Sequence, residues 1–309
     1  MTGASRAVAP PPPKSLPNRR GIRCPASKIN GFPTATGSYD AEAFFRVSVS
    51  TVSNDPSWIP PVRLDSIWAA LANKHYALTE DHIVGLPTNF RESFLSKYFN
   101  DQTLRHDEGD WPVDRERARD VVEYEWRDGS LHLREHHTIT LTDRAGIPGK
   151  RDHSRVWLLD DPEAGQFVRT CLGLIPPDRR QPRGTFGINL FRTFTDVVTK
   201  PHHDDEEFII LYVLDRAGGG AESYLYDPDD VTDAGQPTAE PLHRHQLNPG
   251  EILIFEDEFF KHGATPLEPP PNGEAHRDVV VCTVDRRESY LGVTPPLDDE
   301  SVLAGSGAG

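Results

Sequence analysis

Between residues 185 and 285 the chain is a succession of short apolar segments broken by Gly, Pro and Asp, and this pattern restricts the possible folds more than any other feature. The segments cover roughly 186–193, 208–214, 222–226, 242–247, 251–255, 262–265 and 278–284. Many short strands with regular turns predict a barrel or a jelly roll. Upstream the texture differs. Leu64, Ile67, Trp68 and Leu71 recur at helical spacing, residues 89–99 and 162–174 carry similar patterns, and Pro162 suits a first helical turn. A short strand is expected at 76–78, and two more at 121–126 and 131–141 flank the hairpin signal Asp128-Gly129. The expected fold is mainly β with flanking helices, a double-stranded β-helix (jelly-roll, cupin-like) core.

Both ends are unlike this. Residues 1–37 contain Pro10-Pro11-Pro12-Pro13 and no hydrophobic periodicity, and 296–309 end in Gly, Ala and Ser. They read as a disordered Pro-rich tail and a flexible C-terminal tail. A single domain is expected over 38–295, divided into a helical and mixed part at 38–180 and a jelly-roll part at 181–295. The net charge of −15 disfavours nucleic acid and anionic membrane as partners. That acidity serves either solubility or an acidic cleft for a cationic substrate. Three cysteines without a CxxC pair argue against a disulfide framework and a thiolate zinc site. With no signal peptide and no apolar span in view, the expectation is a cytoplasmic protein. The oligomeric state is left open.

Within the strand-rich region, His202-His203-Asp204 is followed far downstream by His262 and then by Arg277. In extended backbone His202 and Asp204 point the same way, so both can reach one ion. Two imidazoles and one carboxylate suit one face of octahedral non-haem Fe(II), with the opposite face left open. The doubled histidine also permits a second register, His203 with Asp205. Arg277 lies in the apolar strand at its start, where a guanidinium could hold a dicarboxylate through two parallel hydrogen bonds.

The motifs resemble those of the Fe(II)/2-oxoglutarate-dependent oxygenases, most closely the bacterial free-amino-acid dioxygenases of the isoleucine hydroxylase group. The resemblance runs through Phe191-Arg192, His202-His203-Asp204 with Glu207-Phe208, Gly220-Ala221-Glu222-Ser223 with Tyr226, His262-Gly263-Ala264-Thr265-Pro266 and Arg277-Asp278-Val279-Val280-Val281. It implies that His202, Asp204 and His262 ligate Fe(II) and that Arg277 binds the distal carboxylate of 2-oxoglutarate, with O2 as the second co-substrate. It further implies decarboxylation to succinate coupled to hydroxylation or desaturation of an unactivated C–H bond of an amino acid. Two departures stand out: Asp205 occupies a position where the group has glycine, and the segment Asp204-Asp205-Glu206-Glu207 is unusually acidic.

Four further residues are substrate-binding candidates. Arg192 either meets a carboxylate or forms a structural salt bridge, and Glu207 either meets a cationic group or is an exposed strand end. Asn189 and Tyr224 complete the set. The acidic run from Asp204 to Glu207 suggests a basic substrate such as arginine. Rival readings are the same chemistry on a peptide, carrier-bound or other small metabolite, a zinc hydrolase on a cupin-like barrel, and a non-catalytic metal- or ligand-binding jelly roll. The pairs His132/His136 and His243/His245 have metal spacing without a third ligand in view.

Overall fold

The computed structural model describes residues 64–106, 115–136, 155–194, 200–271 and 273–284. The two expected tails, Pro10–Pro13, Cys24 and residues 137–141 of the strand expected at 131–141 lie outside them. Among the described residues are three helices, α1 (Asp65–Lys74), α2 (Phe90–Tyr98) and α3 (Pro162–Gly173). The first strands are β1 (Tyr76–Glu80), β2 (Arg115–Arg127), β3 (Ser130–Glu135) and β4 (Arg183–Thr193). They are followed by β5 (Phe208–Ala217), β6 (Gly219–Gly220), β7 (Ser223–Tyr226) and β8 (His243–His245). The series closes with β9 (Glu251–Glu256), β10 (Lys261–Ala264), β11 (Leu267–Glu268) and β12 (His276–Val284).

Seven strands form one antiparallel sheet in the order β1-β9-β5-β12-β4-β2-β3, and a smaller sheet runs β10-β7-β8. Period-two alternation sorts the large sheet's side chains onto two faces. From β5, Ile209, Leu211 and Val213 join Val279 and Val281 of β12 and Leu225 of the small sheet in the core between the sheets. Phe208, Ile210, Tyr212 and Leu214 point the other way, into a core shared with the helices. There Phe167 of α3 stacks between Phe90 (5.5 Å) and Tyr212 (5.8 Å). The Tyr212 hydroxyl, pulled into this apolar layer, donates to Asp81 at 3.0 Å. Each such fully buried side chain contributes roughly 1.5–3 kcal/mol, so the layer stiffens the sheet from behind. The result is the expected mainly antiparallel β architecture with a jelly-roll core.

Local chemistry sets the boundaries. The Asp161 side chain accepts from the Glu163 N–H at 2.9 Å and Pro162 opens the helix, so α3 starts where its composition predicts. Asp128 and Gly129 both have positive φ (51° and 79°), as a two-residue hairpin between β2 and β3 requires. One boundary differs from expectation. Strand β2 begins at Arg115, well before residue 121, and pairs with β4 along its whole length. Its first half reads as charged because arginines occupy alternate positions at 115, 117 and 119. Ala118 and Val122, on the opposite face, are the residues that meet the helix-side core.

Candidate metal and dicarboxylate site

The segment preceding β5 and the strand β10 are tied by a reciprocal backbone pair. The His202 N–H donates to the His262 carbonyl at 3.1 Å, and the His262 N–H returns a bond of 2.9 Å. This register sets the two imidazoles 4.5 Å apart. Asp204 reaches both: one carboxylate oxygen is 3.5 Å from His202 Nε2 and the other 3.3 Å from His262 Nε2. One ligand atom from each of the three residues lies within 4.8 Å of the others. His202 Nδ1 sits 2.9 Å from the Lys200 carbonyl, an N–H···O contact that leaves Nε2 as the free lone pair. Burial alone would lower the His262 pKa, but the Asp204 and Asp257 carboxylates beside its ring override it and raise the value to about 9. For Asp204, burial is likewise outweighed, here by both histidines, and its carboxyl is held well below the usual range.

The second register is not brought to this cluster. His203 Nδ1 lies 2.7 Å from the Asp257 carbonyl oxygen, and Asp205 is exposed with φ of 60°. That left-handed backbone accounts for the departure noted at 205: the chain must turn there, and Asp is one of the few side chains besides glycine that tolerates it. Asp205→Gly is expected to leave stability within about 0.5 kcal/mol and iron binding intact, whereas Asp205→Val would destabilise by about 1–2 kcal/mol. Chemical denaturation with iron analysis of both variants checks this.

Asp257, just after β9, was not singled out by sequence reasoning. It is 1% exposed, and one carboxylate oxygen accepts the backbone N–H of Asp204 (2.8 Å) and of Glu206 (3.1 Å). Its other oxygen faces His262 Nδ1 at 3.3 Å, off the geometry of a direct hydrogen bond. One side chain thus holds the loop carrying Asp204 and sits behind the ring of His262. The only sequence signal for it is an acid at the end of an apolar strand.

Arg277 is on the inner face of the large sheet, paired with Thr193 on one side and Arg216 on the other. It is 4% exposed. Its Nη2 donates to Ser223 Oγ at a long 3.4 Å, and its Nε has no hydrogen-bond partner. Among the described residues no carboxylate lies within ion-pair distance. Arg216 gives its N–H groups to the carbonyls of Leu247, Gly218 and Gly220. Burial, then the neighbouring Arg216 cation, pushes the Arg277 pKa down to about 10, so it remains charged at neutral pH. A buried, charged guanidinium with an orphaned N–H is a structure completed by an anion.

The remaining candidates separate. Asn189 shares the inner face with Phe191 and Val281 and donates weakly to the Val281 carbonyl at 3.4 Å. Glu207 stands half-buried just before β5, its backbone fixed between Val284 and Asp257. Of the two alternatives for Arg192 the salt bridge is the one seen: it lies on the helix-side face with Ile188 and Leu190 and forms a bidentate pair with Asp278 at 2.8 and 2.6 Å. Tyr224 is corrected. Leu225 faces the core, so alternation on β7 turns Tyr224 outward, where it meets the Tyr226 ring at 5.2 Å, and turns Ser223 inward. A second acid–histidine group, Asp215, His276 and Asp278, also clusters, but Asp278 is already neutralised by Arg192. His136 pairs with Glu123 and His245 with Glu251.

Set beside known proteins, residues 110–283 match the family model described as 2OG-Fe dioxygenase, more than half of the chain, and the chain belongs to that family. It is accordingly an enzyme, an oxygenase that uses Fe(II), 2-oxoglutarate and O2. Solved structures share the fold at low sequence identity. A BsmA homologue from Methylobium petroleophilum PM1 is 19% identical with a TM-score of 0.59, over 73% of this chain and 94% of that one. IDO from Bacillus thuringiensis is 16% identical with a TM-score of 0.55, over 73% and 100%. The Fe(II)/α-ketoglutarate-dependent dioxygenase TqaL is 13% identical with a TM-score of 0.54, over 72% and 86%. No curated protein sequence matches the chain. No helix among the described residues is long and apolar enough to cross a membrane.

Proposed function

We propose that His202, Asp204 and His262 are the iron ligands, that Arg277 binds the distal carboxylate of 2-oxoglutarate, and that the oxidised substrate is a free amino acid. The observation that carries the cofactor assignment is the pairing of a convergent His-Asp-His set with a buried guanidinium that has no counter-ion among the described residues. Both donor sets fit what they would hold: imidazole and carboxylate suit one face of Fe(II), and a planar guanidinium suits a carboxylate. When bound, the iron would let O2 act as the oxidant, with two of its four electrons drawn from the 2-oxo acid as that is decarboxylated and two from an unactivated C–H bond.

The chain's own residues place and protect. Asp204 and His262 are held by Asp257, and His202 is oriented by the Lys200 carbonyl. Asp257→Ala is expected to lower Fe(II) affinity by about 10- to 100-fold, as loss of outer-shell partners of ligating histidines does elsewhere. An anaerobic Fe(II) titration reads this directly. Ser223 and Arg277 approach from two different strands, so the dicarboxylate would be gripped inside the core between the sheets, away from water.

The amino-acid reading rests on the ordered motifs shared with the free-amino-acid dioxygenases. Asn189 faces the same interior, and Glu207, half-buried just before β5, is the acidic residue that would favour a basic substrate such as arginine. With Fe(II), ascorbate and 2-oxoglutarate, a pool of amino acids is expected to stimulate succinate formation and give products 16 daltons heavier or 2 daltons lighter. Silence from every amino acid and dipeptide would sink the amino-acid assignment, and equal turnover of leucine and arginine would remove the preference for a basic one.

A further inference from the structure

Between β7 and β8 the chain is acidic and mostly exposed, with Val231 its one buried side chain over residues 227–242. Such a stretch has no core to fix its shape, yet it is closed by its own hydrogen bonds. Asp227 caps the turn Pro228–Asp230 by accepting the Asp229 N–H at 3.0 Å. Val231 then bridges to Pro237. The Gly235 N–H donates to the Thr232 carbonyl at 2.8 Å, and the Thr238 N–H donates to the Asp230 carbonyl at 2.7 Å. The Thr232 hydroxyl oxygen accepts the Gln236 N–H at 3.0 Å.

This unit touches both segments that carry the histidines of the metal cluster. Lys261, the residue before His262, donates through Nζ to the Val231 carbonyl at 3.1 Å. Gly235 lies directly on Lys200 and Pro201, the two residues before His202. A methyl group placed on it would stand 3.2 Å from Lys200 Cβ and 3.6 Å from the Pro201 carbonyl oxygen. Its φ of 73° also suits glycine, so the close approach and the turn both depend on the missing side chain. The Lys200 carbonyl is the group that orients the His202 ring. Among the described residues, the His202 segment meets β10 through one isolated bridge pair, His202 with His262. Two segments joined at a single bridge can shear about it, and a contact on the outside of each removes that freedom.

We propose that the loop Val231–Thr238 is a brace for the metal centre. Val231 and Gly235 are positioning residues: they hold Lys261 and Lys200, and through them His262 and His202, at the separation that one ion requires. The proposal rests on the ligand assignment made above and extends it to residues that reach neither imidazole. Metal ligation tolerates errors of only about 0.2 Å in ligand position, so ligands fixed before the ion arrives bind it more tightly than ligands that must be drawn together. Loosening the brace leaves the same donors in place, but the ion is held less tightly and released sooner.

The test is anaerobic Fe(II) titration of the full chain, with release of the bound iron into a chelator followed alongside. Gly235→Ala and Lys261→Met should each raise the Kd for Fe(II) about 10-fold, the low end of what losing outer partners of ligating histidines costs, and should release iron faster. Their metal-free melting temperatures should stay within about 4 °C of wild type, because the loop is exposed and adds little to the core. Lys261→Arg keeps a donor for the Val231 carbonyl and should bind iron within about 2-fold of wild type. Should Gly235→Ala not fold, Lys261→Met carries the test, since it removes one hydrogen bond and adds no bulk. His262→Ala is the reference. Iron lost by His262→Ala but bound with wild-type affinity by both loop variants would overturn the brace alone. Iron retained in full by His262→Ala would overturn the ligand assignment and the brace with it. Lower melting temperatures with unchanged iron affinity, or equal losses in Lys261→Met and Lys261→Arg, would also overturn the brace.

Discussion

Arg277→Met is expected to make the ligand-free protein more stable while removing its ability to use 2-oxoglutarate. The guanidinium is buried in an apolar interior, with an unsatisfied Nε, a long bond to Ser223 and a second cation, Arg216, beside it. Holding an uncompensated charge there opposes folding by several kcal/mol, and a methionine of similar length would fill the same volume without that penalty. A gain of about 1–2 kcal/mol would raise the melting temperature by roughly 2–8 °C in a domain of this size. The functional loss has the opposite sign. Removing one partner of a buried charge-assisted carboxylate pair costs about 2–5 kcal/mol, so the KM for 2-oxoglutarate should rise about 30-fold or more. Differential scanning calorimetry with and without 2-oxoglutarate reads both halves. The wild type should be stabilised by the ligand and the variant should not. A variant that is strongly destabilised, or one that keeps its response to 2-oxoglutarate, would show that Arg277 has a structural role instead.

His262→Ala is expected to abolish iron binding with the fold intact, a larger loss than the roughly 10- to 100-fold expected for Asp257→Ala, because a ligand goes rather than its support. A pH signature should accompany it. In the metal-free wild type the His262 pKa is raised to about 9 by Asp204 and Asp257 against the opposing effect of burial. A base whose folded pKa exceeds its unfolded value of about 6.5 contributes stability fully below that value and loses it as pH climbs through the folded pKa. The metal-free wild type should therefore lose stability between about pH 6.5 and 9, and His262→Ala should lack that decline. Urea unfolding of metal-free samples at pH 6, 7.5 and 9 measures the slope. A decline of the same size in the variant would assign the titration to another group.

The parts of this molecule that were legible in its sequence are those where apolar periodicity and chemistry coincide. Strands β5, β9 and β12 announce themselves because Val, Ile and Phe fill both faces, and α3 is marked by its capping Asp161 and Pro162. His202 and Asp204, in the segment before β5, and His262 on β10 were legible as residue types in order, and the resemblance to the oxygenase motifs joined them into one set. The first half of β2 was hidden because one of its faces carries arginine toward an interior, against the usual sorting of charge to the surface. For Arg192 the sequence left two alternatives open. Its strand face was read correctly, but only the pairing of β4 with β12 reveals Asp278 directly opposite. Asp257 was overlooked because its role is to bind the backbone N–H groups of Asp204 and Glu206, relations across more than 50 residues that no local pattern records.

Asp205 shows how a departure from a motif can be read physically. A glycine replaced beside a metal site first suggests altered chemistry. Here the left-handed φ of 60° is retained with a residue able to adopt it, so the turn that presents Asp204 survives the change.

The central assignment, that His202 rather than its neighbour joins Asp204 and His262 at the metal, is tested most directly by anaerobic Fe(II) titration of His202→Ala and His203→Ala side by side. The geometry predicts that His203→Ala, which removes a contact to the Asp257 carbonyl, still takes up one iron per chain, whereas His202→Ala takes up none at the same concentrations. Iron retained by His202→Ala and lost by His203→Ala would contradict it.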